Sequence, residues 1–146
     1  LSAQRLQLEI TETVLIKDTD CILSVLLALR NLGVRIAMDD FGTGHSTLNY
    51  LRQFPFDTIK IDQSFVADVA GSPQTAIIVR SVIDLARGLG ISTVAEGIET
   101  EDQLEALRAL GCDAGQGYLF SRPVPPSEVQ GTIAGAAHAS DLPRAV

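Results

Sequence analysis

Carboxylate side chains recur in this sequence at the points where short apolar segments end. The clearest case is a pair of adjacent aspartates that follows an apolar segment and precedes a glycine-bearing loop. If the apolar segments are parallel strands, their carboxyl ends lie along one edge of a sheet, and the side chains there converge. The side chains that would meet at this edge are Glu9, Glu12, Asp39, Asp40, Lys60, Asp62, Glu96 and Gln116.

Such a group of carboxylates favours a hard cation. Oxygen donors without histidine or cysteine suit Mg²⁺ or Mn²⁺ rather than zinc, and neither His45 nor His138 ends a predicted strand. Left alone, the carboxylates would repel one another, whereas two divalent cations would relieve the repulsion and form a clamp for phosphodiester hydrolysis. Lys60 then fits as a cation beside the attacking water or the phosphoryl oxygens.

Each motif also has an explanation that needs no chemistry. An Asp-Asp pair ahead of glycines is common in turns, and a Lys-x-Asp segment is more often a salt bridge than a site. The loop after the aspartates lacks the Gly-Lys-Ser/Thr of a phosphate-binding P-loop. The functional interpretation depends on coincidence, because acids end four of the five predicted strands and a glutamine lies in the fifth.

The elements that must position these residues alternate between strands and helices. Hydrophobic periodicity predicts strands over residues 6–10, 34–38, 58–61, 91–95 and 115–120. It predicts helices over residues 18–32, 46–53, 73–89, 100–110 and 127–133. In the 73–89 helix, Ile77, Ile78, Val82 and Leu85 would share one face. Thr100 and Gln103 have the spacing of a capping box.

This alternation predicts an α/β fold with βαβ units and parallel strands. Two architectures fit: an open five-stranded doubly wound sheet, or about five units of a (β/α)8 barrel, which normally takes about 250 residues. The sequence opens on a strand with nothing before it to pair with, which favours a partial barrel. We expect residues 1–130 to form the folded portion and residues 131–146 to form a flexible tail.

Composition narrows the class of protein. The 146 residues are 46% hydrophobic and 20% charged, which excludes a disordered chain. Two distant cysteines exclude a disulfide scaffold, and no apolar run reaches the ~18 residues of a membrane span. The net charge of −7 disfavours binding to DNA or RNA polymers. We therefore expect a cytoplasmic segment without membrane contact, either complete or part of a larger sensory or membrane protein.

Five motifs follow one another along the sequence. They are Leu8-Glu9-Ile10-Thr11-Glu12, Met38-Asp39-Asp40-Phe41-Gly42-Thr43-Gly44, Lys60-Ile61-Asp62, Ala95-Glu96-Gly97-Ile98-Glu99 and Gln116-Gly117-Tyr118. Together they strongly resemble the C-terminal portion of the EAL domain, the bacterial cyclic di-GMP phosphodiesterase family. The match runs from about residue 6 to residue 125, and its specificity comes from all five motifs being in register.

The resemblance implies a modified (β/α)8 barrel that uses Mg²⁺ or Mn²⁺ to hydrolyse cyclic di-GMP to linear pGpG. By position, Glu9 would be a ligand of the first metal and Asp39 would bridge both metals. Asp40 would bind the second metal, and Glu96 would be a further ligand of that metal or the general base. Lys60 would hold the nucleophilic water.

The remaining motif residues would support that site. Asp62 would lie beside the lysine and Gln116 would complete the polar rim. Glu12 would anchor the loop after the aspartate pair, which begins with Phe41, Gly42 and Thr43. In the family this loop couples dimerisation to metal binding, so the complete domain would be a homodimer.

The sequence also departs from the family pattern. The Glu-Ala-Leu signature, its neighbouring arginine and a downstream asparagine ligand are absent, so the first metal would keep only Glu9 and Asp39. His45 stands where a tyrosine is more usual. We therefore expect little turnover from this chain alone, and the alternative function is a module that binds cyclic di-GMP or a protein without catalysis. A response-regulator-like open sheet fits less well, because it gives Glu96 and Gln116 no role.

Overall fold

The computed structural model describes residues 2–17, 19–42 and 47–131. In this part of the chain the strands are β1 (Gln7–Thr11), β2 (Arg35–Phe41), β3 (Thr58–Ile61), β4 (Ser92–Ala95) and β5 (Ala114–Gly115). They form one sheet in the order β1-β2-β3-β4-β5, and the pairs β1–β2, β2–β3 and β4–β5 are parallel. The predicted α/β class with parallel strands is confirmed.

Helices connect the strands, as parallel pairing requires. A 3-10 turn at Ala3–Arg5 precedes β1. The α-helices are α1 (Glu12–Lys17), α2 (Thr19–Asn31), α3 (Thr47–Gln53), α4 (Gln63–Asp68), α5 (Pro73–Leu89) and α6 (Glu101–Leu110). None of the helices in the described ranges has the length and apolar character needed to cross a membrane.

The chain divides into two compact units. The first comprises Leu1–Asp62 with Asp84–Thr93, and the second comprises Gln63–Ile83 with Val94–Val146. In the first unit, β2 is the central strand, and its residues Ile36, Ala37 and Met38 are all fully buried. An uninterrupted buried run is typical of a parallel strand covered on both faces. The charged residues of β2 therefore lie on either side of these three buried residues, with Asp39 and Asp40 directly after them.

The second unit is built around α6. Leu104 and Leu107 bury the apolar face of this helix. The predicted capping box is confirmed: the Thr100 hydroxyl accepts from the Gln103 backbone N–H at 3.3 Å, and the Gln103 side chain accepts from the Thr100 N–H at 3.1 Å. Both bonds satisfy amide groups that a helix leaves unpaired at its start. The cap therefore fixes where the chain enters α6 after β4.

The structure departs from the predicted elements in three ways. The predicted helix over residues 18–32 is present as α2 (Thr19–Asn31), but a separate helix that was not predicted, α1, precedes it. The predicted strand over 115–120 is only the two-residue β5, because the chain turns at Gly117 against Ile98. Helix α4 was not predicted. Residues 129–131 are helical, and the rest of the predicted last helix and of the tail lies outside the described residues.

Helix α5 has the predicted bounds, but it buries a different face. Val79, Ile83 and Ala86 are buried, whereas the side chain of Ile77, assigned to the buried face from sequence, is 66% exposed. The predicted residues and the buried residues occupy neighbouring parts of one broad apolar face of α5, so the helical period alone does not select between them. Contacts with the rest of the fold decide between them.

Gly117 permits a close backbone approach that positions the chain after β5. A Cβ there would overlap the backbone N and O of Ile98. Neither atom can move away freely, because Ile98 N–H donates to the Gln116 carbonyl at 3.0 Å and the Ile98 carbonyl accepts from Leu119 N–H at 2.9 Å.

We therefore expect Gly117→Ala to lower the free energy of unfolding by at least about 2 kcal/mol, measured by urea denaturation. The matched control is Gly88→Ala in α5, where an added Cβ meets no atom within 4 Å. That change should raise stability by about 0.5–1 kcal/mol, since alanine favours the helix. A Gly117→Ala protein as stable as its parent would contradict this account of the turn.

Candidate metal centre

An irregularity in β2 allows its two adjacent acids to lie close together. Side chains on neighbouring residues of a regular strand point to opposite faces. The sequence interpretation solved this by ending the strand at residue 38, but β2 continues to Phe41. Its pairing with β3 shifts register between Met38 and Phe41, as at a β-bulge. Carboxylate oxygens of Asp39 and Asp40 consequently lie within 4.8 Å of each other.

The bulge depends on an unusual backbone conformation at Asp40. Its φ is +55°, and it is the one non-glycine residue with positive φ in the described ranges. This left-handed conformation costs roughly 1–2 kcal/mol for a residue with a Cβ, although aspartate tolerates it better than most. In a regular strand the Asp40 side chain would point to the face opposite Asp39. The strained backbone at Asp40 is therefore the local cost of bringing both acids together.

Lys60 joins the acids of β1 and β2. It lies in the neighbouring strand β3, and only 6% of its side chain is exposed. Its ammonium donates a hydrogen bond to Glu9 Oε2 at 2.7 Å and lies 3.0 Å from Asp39 Oδ1. Three adjacent parallel strands thus contribute one charged group each to a single ion-paired cluster within the first unit, although Glu9 lies in the middle of β1 rather than at its end.

The two carboxylates differ in how Lys60 pairs with them. The contact with Glu9 is a hydrogen bond, whereas Asp39 Oδ1 is fully buried and accepts no hydrogen bond from any residue that the structure describes. Its 3.0 Å contact with the ammonium therefore contributes charge attraction without hydrogen-bond geometry. A buried carboxylate oxygen without a donor is unfavourable. It is also a free ligand position of the kind that a divalent cation takes.

A second polar contact lies in the other unit. Glu96 directly follows β4 and Gln116 directly follows β5. The Gln116 side-chain amide donates to Glu96 Oε1 at 2.6 Å, and the Gln116 backbone N–H donates to the Ala95 carbonyl at 2.9 Å. The hydrogen bond from the Gln116 amide therefore holds the Glu96 carboxylate in one orientation. Residues that bind metals are commonly oriented by a hydrogen bond of this kind.

The other predicted residues lie around the ends of these strands. Asp62 is half-buried directly after β3, Phe41 is buried at the end of β2, and Gly42 is exposed beside it. Glu12 is the first residue of α1. Thr43 lies outside the described residues, and the predicted anchoring of its loop by Glu12 stays a prediction.

Two structural features close to the predicted site residues were not identified from the sequence: the turn at Gly97 and a contact between Arg122 and Tyr118. Gly97 turns the chain after Glu96 with φ +71°, and a Cβ there would meet Gln63 Cβ at 2.7 Å. A glycine directly after an acid at a strand end was the available signal. The Arg122 guanidinium lies over the Tyr118 ring at 4.5 Å from its centroid. The aromatic–arginine spacing was the signal there.

Comparison with known proteins decides the family. The model of the EAL domain matches residues 1–123. The chain belongs to the EAL domain family. It is 52% identical over 125 residues to the cyclic di-GMP phosphodiesterase PA2567 of Pseudomonas aeruginosa, covering 86% of this chain and 21% of that protein. Across the first three curated relatives, this EAL chain spans 16 to 21% of their length.

Solved EAL structures agree with the fold. The EAL domain of Mycobacterium smegmatis DcpA superposes with a TM-score of 0.87 at 45% identity, covering 93% of this chain and 61% of that one. Klebsiella pneumoniae BlrP1, in a complex with manganese and cyclic di-GMP, superposes with a TM-score of 0.80 at 42% identity, covering 84% and 31%. The prediction of a partial (β/α)8 barrel from the EAL family is confirmed.

The left-handed backbone at Asp40 can be tested separately from the charge of the Asp40 side chain. Asp40→Gly and Asp40→Ala both remove the carboxylate and differ by one methyl group. In an ordinary strand the alanine variant would be the more stable one, because glycine loses more backbone entropy. At φ +55° we expect the order to reverse, with the glycine variant more stable by about 1 kcal/mol in urea unfolding. A more stable alanine variant would contradict the strained backbone.

Proposed function

We propose that this chain is part of a phosphodiesterase that hydrolyses cyclic di-GMP to linear pGpG with two divalent cations, Mg²⁺ or Mn²⁺. Support comes from the EAL family match, from the phosphodiesterase PA2567 and from the manganese and cyclic di-GMP complex of BlrP1. The observation that carries the proposal is the buried Asp39 Oδ1: it lies 3.0 Å from the Lys60 ammonium but accepts no hydrogen bond from the residues that the structure describes.

In this proposal the cations are held by carboxylates at the carboxyl ends of the parallel strands. Glu9 and Asp39 would bind the first cation, Asp39 would be shared, and Asp40 with Glu96 would bind the second. Oxygen-only donors fit Mg²⁺ and Mn²⁺. When bound, such a pair stabilises the charge on the attacking and leaving oxygens of a phosphodiester.

The other side chains would orient and transfer protons. Water attacks phosphorus, the bond from phosphorus to one ribose oxygen breaks, and a linear product with a terminal phosphate remains. Glu96 would hold its cation or take the proton from that water, in an orientation that the hydrogen bond from Gln116 maintains. Lys60 would stabilise the water or the phosphoryl oxygens, with Asp62 beside it.

The net charge of the chain explains why an anionic substrate would need bound cations. Cyclic di-GMP carries two phosphodiester groups, and a chain of net charge −7 would repel it unless bound cations reverse the local field. The proposal includes a cytoplasmic location for this part of the protein. Homodimerisation of the complete domain, with the loop that begins at Phe41 as the coupling element, stays a prediction.

The alternative is a module that binds cyclic di-GMP without hydrolysing it. The observation behind it is that Glu9 and Asp39, the residues proposed for the first cation, are already ion-paired with Lys60. Binding without turnover by the full-length protein would establish the alternative, whereas production of pGpG would exclude it.

Replacing Glu96 tests the proposed chemistry directly. In the full-length protein, Glu96→Gln should lower the rate of pGpG formation at least about 100-fold, since it removes a ligand or general base while keeping the side chain's shape. The rate is followed by chromatography of the nucleotides with Mn²⁺ or Mg²⁺ present.

The matched control is Glu101→Gln in the exposed first turn of α6, which should keep the parental rate. The melting temperatures of both variants should stay close to that of the parent. An unchanged rate for Glu96→Gln would remove the role assigned to Glu96.

A further inference from the structure

The ammonium of Lys60 takes the position of a counter-ion between two acids. It lies 2.7 Å from an oxygen of Glu9 in β1 and 3.0 Å from an oxygen of Asp39 in β2, the strand that pairs with β3. The lysine is nearly inaccessible to water, whereas the Glu9 side chain is 45% exposed and the Asp39 side chain 22%. A charged group buried to this extent is retained only where partners compensate its desolvation.

Without a cation at this point, the acids would destabilise the fold. Carboxylate oxygens of Asp39 and Asp40 lie within 4.8 Å of each other, and Glu9 and Asp39 both contact the Lys60 ammonium. Negative charges this close in a partly buried environment repel one another strongly. The positive charge of Lys60 therefore does in the metal-free protein part of what a divalent cation would do.

The contact between Lys60 and Asp39 is of a kind that another cation can replace. Asp39 Oδ1 is attracted by the charge of Lys60 but receives no hydrogen bond from the described residues. Another cation can therefore replace that attraction without breaking a directed bond. Glu9, although hydrogen-bonded, is partly exposed and can turn toward a second cation with little loss of packing.

We propose that Lys60 is a built-in counter-ion: it holds Glu9 and Asp39 together before metal loading and competes with divalent cations for the same two carboxylates. This inference rests on the proposed metal centre. It gives Lys60 a positioning role in the metal-free state, separate from any role during hydrolysis. Two effects of opposite sign follow when its charge is removed: the metal-free protein loses stability, and the affinity for a divalent cation rises.

The test compares Lys60→Met, which removes the charge but keeps an unbranched chain, with Lys60→Arg, which keeps the charge. Melting temperatures are measured in the full-length protein after chelation, and Mn²⁺ binding is measured by calorimetry at one fixed pH. We expect Lys60→Met to lower the metal-free melting temperature by about 5 °C or more and to lower the Mn²⁺ Kd about tenfold. Lys60→Arg should show no tighter binding.

The control is Arg30→Met. Arg30 pairs with Asp57 at 3.8 Å in the same unit, and its side chain is 51% exposed, so its loss should change the melting temperature by no more than about 2 °C. If Lys60→Met does not fold without metal, the double variant Lys60→Met/Asp39→Asn decides. Removing the unpaired carboxylate as well should recover a folded metal-free protein; failure of that variant to fold would overturn the inference.

The outcomes separate this inference from the proposed function. Parental Mn²⁺ binding together with an unchanged Kd and melting temperature for Lys60→Met would overturn the counter-ion role and leave the metal centre intact. A parent that binds no Mn²⁺ would overturn the metal centre and with it the competition. The metal-free melting comparison would then still decide whether Lys60 stabilises the acids.

Discussion

The structure of the first unit depends on the electrostatic cost of bringing negative charge into a small, poorly hydrated volume. Asp39 is the residue where this cost is concentrated. It follows three fully buried residues within β2, an oxygen of its carboxylate lies within 4.8 Å of one of Asp40, and its Oδ1 has no hydrogen-bond donor among the described residues. Burial strengthens the repulsion between such groups as well as their attraction to a cation. The ammonium of Lys60 compensates part of this cost.

The backbone of β2 departs from regular strand geometry at the position where Asp39 and Asp40 come close together. An undistorted strand would keep every ladder hydrogen bond and avoid the left-handed conformation at Asp40. The observed strand instead shifts its register after Met38 and retains a strained residue. Strain at a functional position persists where the surrounding structure over-determines it. Here the buried run from Ile36 to Met38 provides that rigid support.

The sequence predicted those features that depend on neighbouring residues or on the regular geometry of a parallel sheet. The Thr100–Gln103 capping box fixed the start of α6, and the buried segment at Thr58–Ile61 matched β3 without adjustment. The acids at strand ends indicated the ion-paired cluster of Glu9, Asp39 and Lys60, since parallel strands must share an edge. These predictions needed only periodicity and the geometry of a parallel sheet.

Other features depend on contacts that a single sequence does not reveal. The apolar face of α5 is broader than the part of it that is buried, and packing selected Val79, Ile83 and Ala86. The β2 bulge replaced the predicted strand end because nothing in the residues around Asp39 distinguishes an ending strand from a distorted one. The shortness of β5 follows from the close approach of Gly117 to Ile98, which are far apart in the chain.

The most direct test of the central claim is a count of bound Mn²⁺ per EAL domain in the full-length protein, by calorimetry or electron paramagnetic resonance. If Asp39 is shared between two cations, the parent binds two ions, Glu9→Gln and Asp40→Asn each lose one, and Asp39→Asn loses both. Two ions bound to Asp39→Asn with the parental affinity would contradict the account.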